Sequence, residues 1–292
     1  GGVDWCGALE EVAGILSAEV EGGSSLTLMY EELLSKAGKK GGESKIRKLI
    51  GEAMGKAQKN ELHENIVKIG IENILTTNWD YCLEKAESKK PDWKPPGNEN
   101  QKTKDKYSLN RYHEVNGKKI WHIHGEANSE RSLVAGFVRY AQYVTEVWDA
   151  VHALENKKNK KLKVDRKHIH LYEGRGKKDN NRRDMDLGRG CWVEQWWKND
   201  MHIVGQGFEA EELHLWYLMC YNERRKKKKN KGESNYRKAK DYYYIPREDR
   251  NKETVRRLRG VGVEIVDDIW RRGNWMKYYE KTFERIKVNI SS

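Results

Sequence analysis

Asn73-Ile74-Leu75-Thr76-Thr77-Asn78-Trp79-Asp80 changes character halfway along. Its first part is a short β-prone run and its second is a polar turn. The sequence on either side differs. Upstream, Leu9, Val12, Ala13 and Leu16 recur at helical spacing, as do Ile46, Leu49, Ile50, Ala53 and Met54, with Leu26, Met29, Tyr30 and Leu33 between them. Gly22-Gly23 and Gly41-Gly42 break these runs, so residues from about 5 to 70 read as a helical portion. Downstream, helix-like sequence runs through Lys85, and a loop over 90–106 carries three of the four prolines. Lys119–Ile123 reads as a second buried strand ending at His124-Gly125, and Tyr140–Leu154 as a helix.

The alternation continues to the end of the chain. Trp192–Trp197 is apolar and helical, and Met201–Val204 is a third strand ending at Gly205-Gln206-Gly207. Glu209–Arg225 is a helix candidate with Leu213, Trp216, Tyr217 and Cys220 on one face. Tyr242–Ile245 and Val263–Val266 are further strands, separated by a helix over 252–259, and Tyr278–Ile286 is a last helix. Strands alternating with helices predict a parallel sheet covered on both faces. Ligands of such sheets sit beyond the carboxyl ends of the strands. Three of the five strands end at polar or glycine motifs, and a parallel sheet places all three on one edge.

Composition bounds the rest. The 292 residues carry 57 Lys+Arg against 45 Asp+Glu, a net +12, and 37% are hydrophobic, enough for a core. No run of about 18 apolar residues exists, so no spanning helix is expected. Gly1-Gly2-Val3-Asp4 has no initiator Met, basic n-region or apolar h-region; the sequence reads as a fragment with no visible secretion signal. Cys6, Cys82, Cys191 and Cys220 are far apart and form no CxxC pair, which disfavours a disulfide scaffold or a four-Cys zinc site and fits a reducing cytoplasm. The excess charge is concentrated in a block at about 155–190 and in Lys226–Lys229. Both are interleaved with Asn and Gly, as solvated loops are, and phosphate tracking on nucleic acid is the competing reading.

Each motif has two readings. Gly205-Gln206-Gly207-Phe208-Glu209-Ala210 fits a glycine-rich strand-to-helix turn that lets a nucleotide approach the backbone. Glu209, Glu211 and Glu212 would repel a pyrophosphate there, so ribose hydroxyls suit the turn better; an ordinary turn complementing the helix dipole is the alternative. Asn78 and Asp80 either cap the next helix or hold a ribose hydroxyl, a carboxamide or a water. His122-Ile123-His124 puts two imidazoles on one strand face, and His168-Ile169-His170 repeats the spacing. No acidic or cysteine ligand is near in sequence, so no metal is expected. His122 reads as a core histidine, and His124, beside Gly125, as a general base.

Taken together, these residues resemble the sirtuins. Thr76-Thr77-Asn78-Trp79-Asp80 is similar to their T-x-N-x-D turn, Ile123-His124-Gly125 to their HG motif, and Gly205-Gln206-Gly207-Phe208 to their ribose-binding turn. The closest likeness is to the bacterial sirtuin-like branch. There an LTTN(Y/W)D motif precedes HG and then a glycine turn followed by Glu and Trp, here Glu212 and Trp216. The resemblance implies a Rossmann-like parallel sheet flanked by helices, with the helical N-terminal portion as an insertion and the 155–190 block as a loop insertion in one domain over 1–292. It implies NAD as substrate, with no metal, and cleavage of the nicotinamide–ribose bond. His124, Asn78 and Asp80 are the implied catalytic residues. Gly1, Gly2, Thr76, Thr77, Asn78, Trp79, Gly125, Gly205, Gln206, Gly207 and Phe208 are the implied dinucleotide contacts. The four-Cys zinc ribbon of deacetylating sirtuins is absent from the sequence, which favours hydrolysis to nicotinamide and ADP-ribose over deacylation. Gly1-Gly2 is read as the remnant of a phosphate loop. Many proteins of this branch act in bacterial anti-phage defence, which adds a homo-oligomer or a sensor domain, fused or associated, to the expected partners.

Overall fold

A computed structural model describes residues 5–20, 25–37, 42–95, 109–156, 190–229 and 239–291. The block of basic residues and His168-Ile169-His170 lie outside these ranges, as do Gly1 and Gly2.

The N-terminal portion is four helices: α1 (Trp5–Leu16), α2 (Leu26–Lys36), α3 (Glu43–Gly55) and α4 (Glu61–Val67). Their apolar faces close on one another as the spacing predicts. Leu9, Val12, Met29, Leu33, Ile46 and Ile50 form a buried cluster that also takes in Trp79 and Leu133. Each large side chain buried there is worth roughly 1.5–3 kcal/mol. Ser25 caps α2 by accepting the Leu28 N–H, and Asn60 and His63 form a reciprocal capping box on α4.

All five predicted strands are present, within one residue of the expected bounds, but they do not form one sheet. β1 (Asn73–Thr76) runs parallel to β3 (Lys118–His122), and β2 (Tyr112–Val115) joins the other side of β3 antiparallel. β4 (Met201–Val204), β5 (Asp241–Tyr244) and β6 (Glu264–Val266) form a second sheet, all parallel. The single parallel sheet expected from alternation is thus two three-stranded sheets, one of them mixed. The unforeseen strand β2 follows from Asn116-Gly117. Both residues have positive φ, 49° and 79°, the backbone of a tight two-residue hairpin that returns the chain onto β3.

Helices connect and cover the strands: α5 (Cys82–Ser88), α6 (Phe137–Asn156), α7 (Trp192–Lys198), α8 (Leu213–Lys229), α9 (Glu253–Gly260) and α10 (Trp275–Ser291). One apolar cluster joins the two sheets, with Trp121 and Ile123 from the first, Ile203 and Tyr243 from the second, and Tyr143, Val147, Trp192 and Met219 from the helices between them. The helix expected from Glu209 begins at Leu213, so Glu209, Glu211 and Glu212 belong to the turn before it. Residues 226–229, expected in a loop, belong to the end of α8.

Candidate functional site

β1 and β4 line along their whole lengths a single cavity of about 590 Å³, inside the range of small-molecule sites. Thr76, Thr77, Asn78 and Asp80 line it from the first sheet, and Gly205, Gln206 and Phe208 from the second. Leu62, Ile66, Phe283 and Ile286 supply an apolar wall from α4 and α10. Two turns 129 residues apart meet here, and the Thr77 hydroxyl donates to Gln206 Oε1 at 3.4 Å. Tyr243 holds the second turn by donating its hydroxyl to the Gln206 carbonyl at 2.6 Å.

Local chemistry explains each turn. The Thr76 hydroxyl accepts the Asn78 N–H at 3.1 Å, which folds the chain sharply as β1 ends and leaves the Asn78 side chain exposed. Asp80 Oδ1 accepts the Cys82 N–H at 2.8 Å, a turn bond that leads into α5 from one residue before its N-cap Tyr81, while also facing the cavity. Gly205 sits at φ 72°, a left-handed conformation that turns the chain away from β4 at little cost only for glycine. Gln206 Nε2 donates to Glu212, which is buried behind the turn. That burial pushes the Glu212 carboxyl up to about 7, with Glu209 and Glu211 adding repulsion against the Gln206 hydrogen bond. Glu211 is engaged elsewhere, accepting the Ser25 hydroxyl at 2.6 Å.

Other expected site residues lie elsewhere. Trp79 is packed in the helical core, its ring 3.7 Å from that of Trp5, and its indole N–H donates to the His124 carbonyl at 3.0 Å. The His124 ring is fully buried and does not line the cavity. Its Nε2 lies 2.8 Å from His214 Nε2, one ring donating to the other, with Tyr140 edge-on at 5.6 Å. Burial holds the His124 imidazole neutral, its pKa depressed to about 3. Gly125 is required for another reason than ligand access. At φ 92°, a Cβ there would lie 2.3 Å from the Ser132 carbonyl oxygen. Gly207 also lies outside the cavity lining.

Sequence reading missed His63, which lines the cavity beside Asp80. Its Nδ1 accepts the Asn60 N–H at 3.1 Å, and burial lowers its pKa. The Asn60-to-His63 spacing of a capping box is the signal that was available; its position over β1 was not. His214, Glu84 and His113 carried no signal at all, because their partners are distant in sequence.

The fold is α/β, and the two polar turns that follow β1 and β4 meet in a cavity that runs along both strands. Residues 72–173 match the family model of the SIR2-like domain, beginning one residue before β1. Over these residues the chain is similar to SIR2-like domains, a class that uses NAD. No curated protein matches the chain. No helix among the described residues is long and apolar enough to cross a membrane.

Proposed function

We propose that this chain is an NAD glycohydrolase: NAD and water give nicotinamide and ADP-ribose, with water as acceptor rather than an acylated protein. The carrying observation is that Thr76, Thr77, Asn78 and Asp80 meet Gly205, Gln206 and Phe208 on one cavity. The polar end offers hydroxyl, amide and backbone groups suited to ribose hydroxyls and a carboxamide; the apolar wall suits a flat ring. Asn78, exposed at the cavity, positions the ribose or the attacking water. Thr77, Gly205 and Gln206 hold the dinucleotide. Asp80 braces the turn through its bond to Cys82. His124 serves as general base when its ring leaves His214. While paired, its carbonyl fixes Trp79 and hence the turn that carries Asn78.

In the same reading one domain spans residues 1–292 and works in the cytoplasm, consistent with four free thiols among the described residues. Its setting is bacterial anti-phage defence, with a second copy or a sensor domain as partner. A second reading, a silent NAD- or ADP-ribose-binding module, is favoured by the buried His124 ring.

Nicotinamide release from NAD by the purified chain decides between them. Release in equal amount with free ADP-ribose, falling about 10²–10⁴-fold in Asn78→Ala and His124→Ala, is the expected result. NAD binding measured by calorimetry with no nicotinamide released would establish the silent module.

A further inference from the structure

His122, Glu84 and His113 come from β3, α5 and β2, and their ligand atoms lie within 4.8 Å of one another. The side chains of His122 and Glu84 are fully buried. Each imidazole has one nitrogen committed outward. His122 Nδ1–H donates to the Asn78 carbonyl at 3.1 Å. His113 Nε2–H donates to Glu126 at 2.5 Å, and Glu126 is itself held by Arg111 at 2.8 Å and by the Tyr81 hydroxyl at 3.1 Å. A backbone carbonyl and an anchored carboxylate on the far nitrogens are the supports that orient metal-binding histidines and set their tautomers. With those nitrogens committed, His122 Nε2 and His113 Nδ1 are the ring nitrogens with a lone pair to offer a cation.

There, His122 Nε2 faces Glu84 Oε1 at 2.7 Å. With Nδ1 already donating, two acceptors meet, and either a second ring proton or a cation must lie between them. Glu84 Oε2 is buried and has no hydrogen-bond partner, a costly state for a carboxylate oxygen. We infer that Glu84, His113 and His122 form a binding site for a divalent cation of the zinc type. Two imidazoles and a carboxylate suit zinc and disfavour calcium or magnesium, which prefer all-oxygen sets. Tetrahedral bonds of about 2.0–2.2 Å place ligand atoms about 3.3–3.6 Å apart, so His122 and Glu84, now at 2.7 Å, must part slightly around the ion. The ion then secures Asn78 from behind through the His122 ring, outside the cavity.

His63, Asp80 and Cys82 form a second cluster of the same spread, but it lacks these supports. His63 Nδ1 accepts a backbone N–H, and burial pushes the Cys82 thiol far up, away from the thiolate a metal needs.

The test uses the full chain and Zn²⁺ alone. After chelation, reloading and gel filtration, elemental analysis is expected to find about one zinc per chain. Co²⁺ loading should give the visible absorption of a low-symmetry nitrogen–oxygen site. His113→Gln, at a half-buried position, and Glu84→Gln should reduce retention to background while circular dichroism confirms folding; His63→Gln should retain the metal. Background zinc in the folded parent chain would overturn the site and leave a buried imidazolium–carboxylate pair. So would zinc kept by His113→Gln and lost by His63→Gln. Neither outcome depends on NAD, so the metal site and the glycohydrolase reading fail separately.

Discussion

His122 and His124 stand two residues apart at the end of β3, and their rings have different partners: Glu84 for one, His214 for the other. Period-2 spacing predicted both on one face of a strand, but β3 ends at His122 and His124 lies in the turn beyond it. The spacing said nothing of what would meet either ring, because Glu84 is 38 residues from His122, and His214 is 90 from His124. At this scale Glu212 gives a pH prediction. Its folded pKa of about 7 lies above the ordinary glutamate value of 4.5. The folded chain therefore binds more protons than the unfolded one between these values, and stability is lost as pH rises from 4.5 through 7. Glu212→Gln, neutral throughout, should raise Tm above pH 7 and change it little near pH 4.5. Thermal melts across that range check this, and equal effects at both ends would show that Glu212 is not the titrating group.

Among the elements, the hairpin and the strand ends make the clearest comparison. Gly117 and Gly125 both have positive φ, but a Cβ on Gly117 meets nothing within 4 Å, whereas one on Gly125 strikes the Ser132 carbonyl. Gly117→Ala should cost about 1 kcal/mol, the conformational penalty alone. Gly125→Ala should cost at least about 3 kcal/mol, because backbone must move. Urea denaturation of both variants gives the difference. Asn116-Gly117 is among the stronger local hairpin signals, and β2 was readable from it. The start of α8 was less so: the acidic residues Glu209, Glu211 and Glu212 suit a helix first turn, yet Gln206 and Ser25 draw two of them into tertiary bonds before the helix begins.

For the whole molecule, the cavity exists because α4 and α10 close against the edges of two separate sheets. Phe283 belongs to both the cavity wall and the cluster of Ile69, Tyr244 and Ile286. Phe283→Ala should lose about 3–5 kcal/mol of stability, while Val288→Ala on the exposed face of the same helix should stay within about 0.5 kcal/mol. Equal losses in urea melts would mean that α10 does not bury this face. A stable Phe283→Leu variant offers a further check: its KM for NAD should rise more than its kcat falls, since the wall binds and does not react.

The sequence by itself determined five of the six described strands, most of the helices and the two turns that share the cavity, because these depend on local periodicity and on glycine, asparagine and threonine chemistry within a few residues. Thr76, Thr77, Asn78, Asp80, Gly205, Gln206 and Phe208 were all named before their convergence was visible. Only the tertiary structure decided that the strands divide into two sheets, that the His124 ring turns into the core, and that His63 reaches the cavity. The same holds for the meeting of Glu84, His113 and His122. Those outcomes rest on contacts between residues tens of positions apart, where burial and hydrogen-bond satisfaction choose the partner and no local pattern records the choice.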